Sequence, residues 1–274
     1  MHMNDTVRDQ DRAGFAAATL PVAARSVITT DTAGLDAGTV SLTVNGQAFP
    51  VYHARPEGKS TLPVILVISE IFGVHEHIAD VARRFAKQGY LALAPDLFVR
   101  QGDPSTIADI PTLLKDIISK TPDAQVMADL DACVAWAAEN GGDTGRLGVT
   151  GFCWGGRATW MYAAHNPEVK AGVAWYGRLA GEATANTPKH PVDIAAGLTV
   201  PVLGLYGGKD TGIPLDTVEK MEAALAQGAS GSQFVVYPDA GHAFHADYRP
   251  SYDEKDAKDG WTRALAWFRQ HGVA

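Results

Sequence analysis

A cysteine with a glycine two residues to either side, Gly151-Phe152-Cys153-Trp154-Gly155-Gly156, joins a short apolar segment (146–150) to an alanine- and aromatic-rich segment (157–165) that reads as a helix. A strand that turns directly into a helix brings neighbouring chains against the positions flanking the turn, so those positions must lack a Cβ. Gly151 and Gly155 meet this requirement, and the expected local structure is strand, tight turn, helix, with Cys153 in the slot where a G-x-S-x-G elbow holds serine. Taken alone, five residues with three fixed positions also arise by chance, and a cysteine in an apolar segment is commonly an inert packing residue. The rest of the chain has to decide between these readings.

Residues 41–44 and 48–54 flank Asn45-Gly46, a hairpin signal. Residues 63–68 form a continuous β-branched run suited to a strand buried on both faces, and 78–88 follow with amphipathic helical spacing up to Gly89. Further strands are expected at 90–94, 147–150, 171–175, 200–206 and 234–237, with helices between most of them and a closing helix at 261–271. The alternation predicts an α/β chain with a mostly parallel central sheet, helices on both faces and an antiparallel N-terminal hairpin. Its functional residues should then lie in loops at the carboxyl ends of the strands. Cys153 lies in such a loop, and 179–197 reads as a surface excursion near it.

The 274 residues contain no linker-like stretch, so residues 40–274 are read as one domain and 1–39 as an N-terminal arm. Within that arm, 13–24 is largely apolar and is flanked by Arg8, Arg12 and Arg25-Ser26, as a degraded secretory signal would be. Asp5, Asp9 and Asp11 spoil the positive region and no small-x-small cleavage site follows, so a cytoplasmic location is expected, with a periplasmic or secreted one as the alternative. A net charge of -8 without a basic cluster argues against a nucleic-acid partner, and no apolar run is long enough to span a bilayer. Only Cys133 and Cys153 occur, which gives no disulfide framework and no Cys-x-x-Cys spacing. Cys133 borders the stripe Val126, Leu130, Val134 and Ala137 of a helix opened by Thr121-Pro122, and reads as a buried packing residue.

A nucleophilic thiol needs a base and an acid that orients the base. Asp210 follows the expected strand 200–206, and His242 follows the strand 234–237. Cys153, Asp210, His242 is the nucleophile, acid, base order of α/β-hydrolases, which other triad folds do not share. Asp216 and Asp239 compete for the acid role, and His245 competes with His242. His242 and His245 with His75-Glu76-His77 match no zinc-motif spacing, so no metal is expected; His75 and His77 read as an exposed helix start.

Four separated segments resemble the dienelactone hydrolase family: Ser69-Glu70-Ile71-Phe72-Gly73-Val74, Ala94-Pro95-Asp96-Leu97-Phe98, Gly151-Phe152-Cys153-Trp154-Gly155-Gly156 and Ala240-Gly241-His242-Ala243-Phe244. The resemblance runs from about residue 40 to the C-terminus. It implies an α/β-hydrolase fold with a Cys-His-Asp triad on Cys153, His242 and Asp210. It also implies that Glu70 interacts with the nucleophile in the resting enzyme, and that Arg100 holds a substrate carboxylate. Physically, a carboxylate beside a thiol disfavours the thiolate unless it is protonated or swings away, which would make activation depend on substrate; a helix cap is the alternative role for Glu70. Backbone N–H groups of Ile71 and Trp154 occupy the oxyanion-hole positions. Phe72, Tyr176 and His245 complete the expected substrate-binding set. This chain departs from the family after the base, where Ala243 and Ala246 stand in place of a serine and an arginine; His245 or Arg249 are the candidates to compensate.

The expected activity is therefore hydrolysis of a small-molecule ester or lactone through a thioester, without metal or organic cofactor. The alternatives are a promiscuous carboxylesterase acting on other acyl or phosphoryl esters, and a catalytically silent thiol-based binding or redox-sensing protein.

Overall fold

The computed structural model describes residues 27–107 and 109–274. The apolar run at 13–24, and the question of export attached to it, lie outside these residues. A single eight-stranded sheet runs in the order β1-β2-β4-β3-β5-β6-β7-β8. In chain order it is built from β1 (Leu35–Val44), β2 (Gln47–Pro56), β3 (Leu62–Ile68), α1 (Glu76–Lys87), β4 (Leu91–Pro95), α2 (Ile110–Asp116) and α3 (Asp123–Glu139). Then follow β5 (Gly142–Phe152), α4 (Trp154–His165), β6 (Ala171–Trp175), α5 (Pro191–Ile194), β7 (Val202–Gly207), α6 (Leu215–Leu225), β8 (Gln233–Tyr237) and α7 (Glu254–Gln270). From β4 across to β8 every pair is parallel, while β1, β2 and β4 pair antiparallel.

The hairpin forms where Asn45-Gly46 signals it, because both residues take positive φ (52° and 76°), as the two central positions of a type I′ turn require. Its first strand begins earlier than residue 40: pairing with β2 runs back to Leu35 opposite Pro56. Residues 27–34 are also tied down. Ile28 N–H donates to Asp247 (3.2 Å), Thr30 N–H to Asp80 (2.5 Å), and Arg83 Nε–H to the Thr30 carbonyl (2.7 Å). None of these partners is visible in a local pattern.

The strands β3, β4, β6 and β7 are buried along their whole length, as their uninterrupted apolar runs imply for a sheet covered on both faces. Cys133 is fully buried in this core, and burial pushes its thiol far above the usual range. A further expected boundary moves. The last helix begins at Glu254 rather than Trp261, because Asp253 caps it by accepting from Asp256 N–H (3.0 Å) and its polar first turns carry no apolar stripe. The excursion at 179–197 contains the short helix α5.

The elbow is set by close approach. A Cβ on Gly155 would lie 2.3 Å from the Ile68 carbonyl oxygen and 2.5 Å from that of Ser69; one on Gly151 would lie 2.2 Å from the Gly155 oxygen. Gly156 faces the Trp175 carbonyl in the same way, at 2.5 Å. The start of α4 therefore wedges between the ends of β3 and β6 only because these residues lack side chains. Replacing Gly155 with Ala should cost about 2–3 kcal/mol by forcing backbone apart, which chemical denaturation would register as a lowered midpoint with an unchanged slope.

Candidate active site

Cys153 sits at the turn with φ 54° and ψ −112°, a backbone conformation L-residues rarely adopt and one that costs of order 1–3 kcal/mol. Its N–H donates to the Trp175 carbonyl (3.0 Å), and its own carbonyl accepts from Gly156 and Arg157 N–H (3.0 and 3.2 Å). The strain is thus held by β6 on one side and the first turn of α4 on the other. The sulfur lies at the N-terminus of α4, where the helix favours negative charge.

The ends of β7 and β8 bring up Asp210 and His242. Asp210 Oδ1 accepts from Gly212 and Ile213 N–H (2.9 and 3.1 Å), and its Oδ2 lies 2.7 Å from His242 Nδ1. The carboxylate is fully shielded from solvent, whereas the imidazole is 36% exposed. Burial pulls His242 down, but the Asp210 hydrogen bond and the adjacent Cys153 sulfur override it and raise the imidazole to about 10. The competing acids are elsewhere: Asp216 pairs with Lys220 and Asp239 with Lys209, all at the surface.

Trp154 N–H opens α4 and is one of that helix's unsatisfied donors. Ile71 follows β3, whose Ile68 pairs with Gly151 of β5, and packs with Trp154 against one apolar cluster. Phe72 packs with Phe98, Leu113 and Ile117 beside Ile71 and Trp154, forming an apolar wall separate from the main core. Tyr176 is fully buried at φ 38°, its ring 5.2 Å edge-on to His242 and its hydroxyl without a partner among the described residues.

Four expected placements are corrected. Arg100 does not face the site: its guanidinium makes a two-point pair with Asp129 (2.5 and 2.9 Å), buried on both sides, and stacks 5.0 Å from the Phe49 ring. Asp129, on α3, is an internal partner that a loop arginine's sequence cannot reveal. His245 is 3% exposed, with its ring centre 5.0 Å from Phe152 and 4.5 Å from Trp175. Burial holds its imidazole well below the usual range. Neither His75 nor His77 is exposed at a helix start: the His75 side chain is 13% exposed, and His77 is buried with Nδ1 3.0 Å from Asp247, a residue 170 positions away.

Glu70 is the fourth. Its carboxylate lies 3.2 Å from His75 Nε2 through Oε2 and accepts from the Tyr248 hydroxyl through Oε1 (3.4 Å), rather than meeting the nucleophile. Burial alone would push this acid up; the His75 hydrogen bond and the electrostatic pull of the neighbouring His75 and His77 prevail and hold it at about 2. Sequence reasoning missed Tyr248 and the partnership of His75, since neither stands in a recognisable motif. Arg249, considered as a substitute anion anchor, places its guanidinium 5.7 Å from the Phe72 ring at the edge of the site.

A mostly parallel sheet with a strained cysteine elbow after β5, an acid after β7 and a histidine after β8 defines an α/β-hydrolase. Residues 49–272 match the model of the dienelactone hydrolase family. A Methylorubrum extorquens protein assigned by name as a carboxymethylenebutenolidase is 60% identical over 262 residues, covering 95% of this chain and 90% of its own length. A Salmonella typhimurium protein of the same assignment is 58% identical over 260 residues, covering 94% and 96%. The solved structure of a Klebsiella pneumoniae protein assigned as a dienelactone hydrolase superposes with a TM-score of 0.85 at 60% identity, covering 86% of this chain and 99% of that one. The chain belongs to the dienelactone hydrolase family, and with it to the hydrolases that act on esters and lactones. Among the described residues no helix is long and apolar enough to cross a membrane.

Two outcomes follow from these contacts. Arg100→Ala should strand the buried Asp129 charge and cost about 3–5 kcal/mol of stability, measured by denaturation, while KM for anionic and neutral esters stays unchanged. The folded value of His242 lies above its unfolded 6.5, so its interactions stabilise the fold fully below about pH 6.5 and lose that effect as pH rises toward about 10. Asp210→Asn should lower the His242 midpoint in an NMR titration and flatten this alkaline loss.

Proposed function

We propose that the protein hydrolyses a carboxylic ester or lactone by acyl transfer through Cys153. The observation that carries this reading is the 2.7 Å contact of Asp210 with His242, whose imidazole is raised by that carboxylate and by the neighbouring Cys153 sulfur. The raised imidazole is suited to keep the proton beside an ionised sulfur, so the thiolate attacks the acyl carbon as the carbonyl π bond opens. The resulting oxyanion is met by the N–H groups of Ile71 and Trp154. As the intermediate collapses, the C–O bond breaks and His242 delivers its proton to the departing alcohol oxygen, leaving an S-acyl thioester. A water molecule then loses a proton to His242, attacks the thioester carbon and releases the carboxylic acid, and the sulfur recovers its electron pair. Throughout, Asp210 fixes the tautomer of His242 and balances its charge.

The environment of the site supports neutral or weakly anionic substrates over strongly anionic ones. Arg100 is spent on Asp129, and Ala243 and Ala246 are buried and apolar. Binding would rely on the apolar wall of Phe72 and Trp154 and on the Tyr176 ring. This favours, as the second reading, a carboxylesterase of broad acyl specificity. Cys153→Ala should abolish turnover of p-nitrophenyl acetate and stoichiometric iodoacetamide labelling while leaving the circular dichroism spectrum unchanged. Retained turnover in that variant would exclude the thiol mechanism. Profiling neutral esters against carboxylate-bearing lactones separates the two substrate readings: a preference for the neutral set favours the broad esterase.

A further inference from the structure

Between β3 and α1 the chain carries a carboxylate to the flank of the nucleophile. The Ser69 carbonyl oxygen lies 2.5 Å from where a Cβ on Gly155 would stand, which brings the next residue, Glu70, alongside the elbow that carries Cys153. A free carboxylate there would oppose formation of a thiolate. Yet neither Glu70 oxygen is free. One lies 3.2 Å from His75 Nε2 and the other accepts from the Tyr248 hydroxyl, and the side chain is 3% exposed.

His75 occupies the N-cap position of α1, where a short polar side chain would normally satisfy the first helical N–H groups; its imidazole makes no such bond and turns to Glu70 instead. The ring is fixed for this purpose from three sides. Tyr248 meets it edge-on at 5.0 Å, Phe72 edge-on at 6.3 Å, and His77 stacks at 6.0 Å. His77 is anchored in turn by Asp247, which also takes the Arg84 guanidinium at 2.6 Å.

We propose that His75 is a positioning residue for the hydrolysis, holding Glu70 away from Cys153 so that the thiol is paired with His242 in the resting protein and does not wait for substrate to be released. This rests on Cys153 being the nucleophile. The titratable and charged groups around the pair are His75 and His77 from α1, Tyr176 after β6, Asp210 after β7, and His242, Asp247, Tyr248 and Arg249 after β8. Of these, His75 and Tyr248 are the ones bonded to the Glu70 oxygens, and removing the imidazole leaves a buried carboxylate with the long Tyr248 bond and its own backbone N–H. On this proposal, the carboxylate so released turns toward Cys153.

The test reads thiol reactivity rather than turnover. The rate of iodoacetamide alkylation at Cys153 is followed by mass spectrometry from pH 5 to 9 in the full chain and in His75→Ala, His75→Phe, Glu70→Gln and the His75→Ala/Glu70→Gln double variant. His75→Phe keeps the ring packing and removes the donor, which covers the case of a poorly folded alanine variant. Both His75 variants should react about tenfold more slowly near pH 6.5, with the midpoint of the profile shifted up by about one unit. Glu70→Gln should react at least as fast as the unaltered protein, and the double variant should return to within about twofold of Glu70→Gln, because the effect of His75 runs through that carboxylate. A wild-type profile in both His75 variants, or a double variant as slow as His75→Ala, overturns the proposal. Ester turnover in Cys153→Ala, measured alongside, reports separately on the nucleophile: if turnover survives there, the acyl-transfer reading falls, whatever the alkylation profiles show.

Discussion

The site depends on how closely one helix can approach two strand ends. Three glycines, Gly151, Gly155 and Gly156, let the first turn of α4 rest against the carbonyls of Ile68, Ser69 and Trp175 at distances no Cβ would permit. At that contact Cys153 takes a positive φ. The contact also sets Trp154 N–H beside the loop that carries Glu70, Ile71 and Phe72. Loosening the wedge would move the sulfur, both candidate oxyanion donors and the neighbouring carboxylate together, so steric exclusion of a few methyl groups organises the whole edge of the sheet.

Around this wedge the charges are arranged in two separate systems. Asp210 has both oxygens satisfied, by two backbone N–H groups and by His242, and it has no solvent contact, so its influence goes into one imidazole. Glu70 is satisfied by a different set of partners on the other flank. Two carboxylates close to one thiol would both disfavour its ionised form if they were free. Here one is bonded to His242 and the other to His75. A third system, His77 with Asp247 and Arg84, supports the second and reaches the N-terminal segment through Ile28.

Much of this was legible in the chain because it follows from local rules. The strand-turn-helix context of Cys153, the Asn45-Gly46 hairpin and the buried strands each depend on a few consecutive residues with a physical reason to adopt one conformation. The order of Cys153, Asp210 and His242 carries the topology of the sheet, since each follows a parallel strand and parallel strands end on the same edge. Boundaries were less legible where they depend on caps and pairing: β1 extends to Leu35 because β2 continues opposite it, and α7 begins at a polar cap rather than at its first apolar residue.

The sequence by itself determined the architecture and the chemical identity of the elbow, because glycine, β-branched runs and helical spacing act over distances of a few residues. Which charged side chains remain available to a substrate was decided only in the folded chain. Arg100 reads as an anion anchor until Asp129, 29 residues on, arrives from α3 and neutralises it in the interior. Glu70 reads as a partner of the nucleophile until His75 and Tyr248, the latter 178 positions away, take both of its oxygens. Burying a charge demands a partner, and the partner that satisfies that demand is chosen by the packing of distant elements.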